Sequence, residues 1–178
     1  MDIPTVTTPR LILRAFTPDD DVPLHRILGE EDILRYYPNP NPPPLERVRK
    51  FIERQLAHWE THGFGWWAVV LNGHEELIGW NGLQFLPETG EIEVGYLLSK
   101  PFWGQGLAPE GAYAALVFGF ETLNLERIIG LVHPDNVASR RVLEKIGMSF
   151  IDRASYFGME VCRYRIERPS FRRPAGAE

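Results

Sequence analysis

The chain has 178 residues, 44% hydrophobic and 24% charged, the balance of an ordinary globular protein about one domain in size. Its 19 Lys and Arg against 24 Asp and Glu leave a net charge of −5, which argues against a dedicated nucleic-acid binder. A single cysteine, Cys162, excludes an intramolecular disulfide and a cysteine-cluster zinc site; with no apolar run of the roughly 20 residues that span a bilayer and no signal-peptide pattern at Met1-Asp2-Ile3-Pro4-Thr5, the expectation is one cytoplasmic domain over 1–178 with no membrane partner.

In chain order, Leu11-Ile12-Leu13-Arg14 reads as a short strand, and Thr17-Pro18-Asp19-Asp20 starts a helix that runs through Ile27-Leu28. The proline cluster from Tyr36 to Pro44 cannot be a helix interior, because each proline removes an N–H donor. It is either a stiff connector or a rigid lip beside a pocket. Val48, Phe51, Ile52, Leu56 and Trp59 then recur at helical spacing. Trp66–Leu71 and Leu77–Trp80 flank an Asn72-Gly73 turn and read as a hairpin. A third strand spans about Glu91 to Ser99, followed by a largely buried helix from Pro109 to Leu123. Arg127–Val132 is β-branched and strand-like, Val137–Ile146 is a helix ended by Gly147, and strands near Met148–Arg153 and Val161–Glu167 complete the set. Residues 169–178 read as a frayed tail. Hairpin-joined neighbours with one late β-α-β crossover predict an α/β (α+β) fold. Its centre is a mixed, mostly antiparallel sheet of about seven strands with helices on both faces.

The chemistry concentrates in two segments. In the first, the strand Val94-Gly95-Tyr96-Leu97-Leu98 leads through Trp103-Gly104-Gln105-Gly106-Leu107-Ala108 into a helix. Free N–H groups at a helix start favour a phosphate or pyrophosphate. A dinucleotide fingerprint fails because Pro109 stands at its third glycine, and a P-loop fails because Ala112-Tyr113 follows Gly111. The same residues also suit a plain left-handed turn. In the second segment, Asn136 suits a helix N-cap, and Arg140, Arg141 and Lys145 form a local basic group on the helix it would start. That group is either a solvated face or a phosphate contact.

Together these residues resemble the GNAT superfamily of acyl-CoA-dependent N-acetyltransferases, in the manner of the branch that acetylates ribosomal proteins at alanine and serine. The resemblance runs from Thr8-Pro9-Arg10-Leu11-Ile12-Leu13-Arg14 to Tyr164-Arg165-Ile166. It rests on the order and spacing of Glu93-Val94-Gly95-Tyr96-Leu97-Leu98, the Trp103–Ala108 turn and Asn136-x-x-Ser139. It implies a sheet splayed at the Glu93–Leu98 strand. The turn, with Gly104, Gln105, Gly106, Leu107 and Ala108, would hold the pyrophosphate of acetyl-CoA, and the Tyr96-Leu97-Leu98 backbone would pair with the pantetheine arm. Asn136 would bind the same arm and Ser139 would lie near the sulfur, with Arg140, Arg141 and Lys145 as phosphate contacts. Two positions depart from the family pattern. Pro109 stands where Thr is common, which the first helical turn tolerates. Leu143 stands where many relatives carry the tyrosine that protonates the leaving thiolate.

Acetyl transfer to an amine needs a base, an oxyanion site and a stabilised thiolate. Glu91 and Glu93 share one face of their strand by alternation, and Glu93 is the first candidate base, although a solvent-facing glutamate would look the same. Backbone N–H groups near Leu97 and Leu98 are candidates for the oxyanion, and Ser139 is the remaining donor for the thiolate. His133 is either structural or part of the site. No histidine spacing suggests a metal, and Cys162 reads as core. The acceptor is expected to be a primary amine: a protein N-terminus, or an amino acid, polyamine or antibiotic. A non-catalytic acyl-CoA sensor and a purely structural domain are the other classes, and monomer and homodimer stay open.

Overall fold

The computed structural model describes residues 2–172. Its centre is one eight-stranded sheet built from β1 (Val6–Thr7), β2 (Leu11–Arg14), β3 (Trp66–Leu71), β4 (Leu77–Leu86), β5 (Glu91–Leu98), β6 (Arg127–Val132), β7 (Ser149–Tyr156) and β8 (Met159–Glu167). The spatial order is β1-β2-β3-β4-β5-β6-β8-β7. Every neighbouring pair is antiparallel except β5 and β6. The β-α-β crossover expected late in the chain makes that one parallel contact. The strand beyond the expected seven is the two-residue β1, too short to leave an alternating pattern. β4 also runs six residues past Trp80, because Asn81, Gly82 and Gln84 interrupt its apolar run.

Among the described residues, four α-helices cover the sheet: α1 (Asp21–Leu28), α2 (Leu45–His62), α3 (Leu107–Val117) and α4 (Val137–Lys145). The first two bury Leu24, Ile27, Val48 and Ile52 against Ala68, Trp80 and Leu97 on one face. On the other face, α3 and α4 bury Leu107, Ala112, Leu116 and Leu143 against Leu13, Leu83, Val94 and Ile128. Strand alternation explains how β5 serves both layers, with Leu97 on one side and Val94 and Leu98 on the other.

Three local features differ from the sequence reading. α3 starts at Leu107, so Pro109 is its third residue, still inside the first turn where its missing N–H costs no intrahelical bond. The helix then loosens into a π-type turn over Phe118–Thr122. Residues 169–172, expected to fray, are anchored: Arg168–Ser170 form a 3-10 turn, and the Phe171 ring lies 5.6 Å from Tyr113 and 4.9 Å from Phe120. Residues 173–178 of that expected tail lie outside the described region. Among the described residues, no helix is long and apolar enough to cross a membrane.

Candidate active site

β5 is where the sheet opens. It pairs with β4 along its full length, from Glu91 to Leu98, yet shares one registered pair with β6, Glu93 with Ile129. Beyond that point the two parallel strands part. Ser99 N–H donates to Ile78 O at 2.8 Å, so by alternation Leu97 also turns its backbone toward β4, while Tyr96 and Leu98 turn theirs toward the opening. Of the three strand residues proposed for the pantetheine arm, Leu97 is thus held in the β4 ladder with its side chain in the core. The Leu98 carbonyl is taken by Trp103 Nε1–H at 2.5 Å, which leaves the Leu98 N–H and the Tyr96 backbone facing the gap.

At the end of β5 the chain enters the glycine turn. Gly104 and Gly106 have φ of +73° and +76°, a region that favours residues without Cβ. The N–H groups of Gln105, Gly106, Leu107 and Ala108 find no acceptor among the described residues. They gather where the α3 dipole is positive, a pattern suited to an anion. A clamp from the start of the chain holds this turn. Arg10 Nη1 donates to Gln105 O at 2.8 Å, Arg10 Nε donates to Glu110 Oε2 at 2.6 Å, and Thr8 Oγ1 and the Arg10 backbone N–H both donate to Glu110 Oε1, at 2.6 and 2.9 Å. Burial raises the Glu110 carboxyl, but these hydrogen bonds outweigh it and leave its pKa below the ordinary value. The sequence carried this clamp only as an unassigned Thr8-Pro9-Arg10. Its partner lies 100 residues away, so no spacing rule reaches it.

The second segment lies across the gap. Asn136 is the N-cap of α4, its Oδ1 accepting the Ser139 N–H at 3.1 Å. Tyr96 Oη bonds to Ser139 Oγ at 2.9 Å and donates to Ser139 O at 3.1 Å, a strut from β5 to α4. Burial, partly opposed by the Ser139 hydrogen bond, raises the Tyr96 hydroxyl above the ordinary phenol range. Sequence reasoning counted only the Tyr96 backbone. Arg140 is turned elsewhere: its Nε donates to Tyr164 Oη at 3.1 Å, and that hydroxyl donates to Glu144 Oε1 at 3.0 Å. Arg141 and Lys145 are exposed. Leu143 is 1% exposed and points at β6, where a Cβ on Gly130 would lie 2.8 Å from Leu143 Cδ2. At that position a side chain fills a core notch.

Glu93 occupies the opposite face of β5, under the α1–α2 layer. Burial lifts its carboxyl pKa to about 8, against a Leu131 N–H that pulls it down. Tyr37 is 38% exposed, yet desolvation around its hydroxyl and then the Glu93 charge raise its pKa. Its neighbour Tyr36 stacks on His133 at 5.2 Å. The proline segment thus starts from a tyrosine packed on His133. His133 Nδ1 accepts the Asp135 N–H at 3.2 Å, a structural use of the ring. Glu91, the other strand carboxylate, is engaged by Tyr156 Oη at 2.5 Å and Arg163 Nη1 at 3.5 Å. Trp66 and Trp80 stack at 4.0 Å over Gly95, the next residue along on Glu93's face. Cys162 is buried in β8.

A model of the acetyltransferase (GNAT) domain matches residues 10–149, from the Arg10 clamp past α4. The chain belongs to the GNAT acetyltransferase family. The uncharacterised N-acetyltransferase YoaA of Bacillus subtilis is 31% identical over 145 residues, covering 81% of this chain and 82% of YoaA. Among solved structures, the acetyltransferase from Agrobacterium tumefaciens str. C58 superposes with a TM-score of 0.83 at 30% identity, covering 94% of this chain and 96% of that one. RimL, a ribosomal L7/L12 α-N-protein acetyltransferase solved with coenzyme A, shares the fold at a TM-score of 0.78 and 19% identity, over 92% of this chain and 98% of RimL.

Proposed function

We propose that this acetyltransferase moves the acetyl group of acetyl-CoA to a primary amine by direct attack, and that the acceptor is the N-terminal amine of a protein. The observation that carries the reading is the pairing of two features across one strand. Amides at 105–108 suited to a diphosphate follow one end of β5, and a carboxylate with a pKa of about 8 sits on the same strand. The residues fit the donor: glycines keep the turn open, and the Tyr96 backbone faces the gap where an extended amide-bearing arm can pair, which leaves the Leu98 N–H free.

The roles follow from position. Glu93, ionised in part near neutral pH, takes the proton of the attacking amine, directly or through a water. The amine nitrogen bonds to the thioester carbonyl carbon, the Leu98 N–H stabilises the developing oxyanion, and the C–S bond then breaks. A thiol has an ordinary pKa near 8.5, so the thiolate leaves without a strong acid. When Tyr96 Oη turns its proton from Ser139 O to Ser139 Oγ, the Ser139 proton is free for the hydrogen bond that receives the thiolate. Arg141 and Lys145 are the exposed cations of α4 that remain for the outer phosphates, while Arg140 serves Tyr164.

An α-amine has an ordinary pKa near 8 and needs less help than a lysine near 10.4, which matches a base of moderate strength. On the Glu93 face, Glu91 and Asp152 hold Arg163, and Arg165, in register with Glu93 across Ile129, pairs with Glu167. Calorimetry with CoA tests the donor half: micromolar binding supports the reading, and no heat at millimolar CoA removes it. Mass spectrometry of a panel of peptides, polyamines and amino acids tests the acceptor half.

A further inference from the structure

We infer that Arg10 is a positioning residue for the donor, holding the glycine turn in its diphosphate-binding form; this rests on the donor site proposed above. Two glycines at positive φ make the turn easy to bend and give it many conformations to lose on binding. An anion site that binds tightly needs those conformations removed beforehand. Arg10 removes them at the middle residue. Its Nη1 fixes the Gln105 carbonyl, and because a peptide unit is planar and trans, the Gly106 N–H of that unit must point the opposite way. Gln105 Nε2 ties the other flank of the turn to Pro101 O at 2.8 Å.

Arg10 also deals with a charge problem. Glu110 stands in the first turn of α3, where its carboxylate suits the helix dipole but would repel a diphosphate at the same amides. Arg10 meets that carboxylate through Nε and Nη2, both at 2.6 Å, and Thr8 adds a neutral donor. A Cβ on Gly106 would lie 3.5 Å from Arg10 Nη2, so the guanidinium runs alongside the turn itself. One side chain thus orients the peptide, cancels the nearby anion and places positive charge beside the amides. Arg10 acts through the turn, so its effect belongs to donors that carry a diphosphate.

The test compares acetyl-CoA with acetyl-pantetheine, which lacks the diphosphate, in the full chain. Arg10→Ala is expected to weaken CoA binding about tenfold or more in calorimetry. It should raise KM for acetyl-CoA while kcat/KM on acetyl-pantetheine stays within about twofold. Arg10→Lys, which keeps a charge but cannot span Gln105 and Glu110 together, should recover only part of the loss. If Arg10→Ala does not fold, Thr8→Val and Arg10→Lys are read by the same two-donor criterion. Equal losses on both donors, or unchanged CoA affinity, would overturn the inference. A wild-type protein that binds no CoA would instead remove the donor site beneath it.

Discussion

Glu93→Gln is the most informative single substitution, because it keeps the shape of the side chain and removes only its ability to take a proton. With a carboxyl pKa of about 8, the ionised fraction is about 1% at pH 6, about 9% at pH 7 and about 50% at pH 8. A reaction that draws its base from that fraction accelerates about fiftyfold between pH 6 and pH 8. The amine acceptor titrates over the same range, so a wild-type profile alone does not isolate Glu93. The ratio of wild-type to Glu93→Gln kcat/KM does, since the acceptor contributes equally to both. That ratio should climb about fiftyfold from pH 6 to 8 and flatten above pH 9, at an overall cost to the variant of about 10² to 10⁴ in rate. Thiol release, followed continuously at fixed acceptor concentration, supplies the numbers. A ratio independent of pH would refute the assignment of Glu93 as base, whatever the size of the loss.

Four further outcomes follow from the structure. Gly106→Trp should abolish CoA binding, because the residue sits at φ +76° beside Arg10; retained affinity in calorimetry would refute the turn assignment. Tyr96→Phe, which removes the hydroxyl that orients Ser139 Oγ, should lower kcat on acetyl-CoA by about tenfold and have less effect on a thioester of a more acidic thiol, while equal losses on both would leave Tyr96 a purely structural strut. Gly130→Ala should cost about 1–3 kcal/mol in urea unfolding by overpacking Leu143, and a neutral result would contradict the close approach. Burial, with a smaller contribution from His62, lowers His58 to about 4, and its Nε2 accepts the Phe85 N–H. Because its folded pKa lies below the unfolded value of 6.5, stability is complete above pH 6.5 and falls as pH drops toward 4. The shift alone corresponds to roughly 3 kcal/mol, and solvent screening of this half-exposed ring reduces the expected loss to about 1–2 kcal/mol. Unfolding at pH 7.5 and pH 5 should show that loss in the wild type and less of it in His58→Gln; equal losses would refute it.

Local signals carried most of the fold. The helical spacing of Val48, Ile52 and Trp59 and the alternation around Trp66–Leu71 act through near neighbours, and both elements form where those patterns lie. β4 beyond Trp80 was hidden because Gly82 and Asn81 serve close packing there, Asn81 Nδ2 reaching Gly111 O at 2.8 Å. The site was legible where a short motif places backbone groups, as in the 104–108 turn and the Asn136 cap. It was not legible where side chains meet across the fold. The Arg10–Glu110 clamp spans 100 residues, Tyr96 meets Ser139 over 43, and Tyr36 stacks on His133 only once the sheet has formed. The basic group on α4 shows the converse: three neighbouring cations in sequence diverge in space, with Arg140 committed to Tyr164.

The most direct test of the account is a single incubation of the protein with acetyl-CoA and a peptide bearing a free N-terminal amine, read by mass spectrometry and thiol release together. The account predicts one free CoA thiol for each peptide that gains an acetyl group at its N-terminus, with loss of both signals in Glu93→Gln at pH 7. CoA binding without acetylation of any peptide or amine would contradict it.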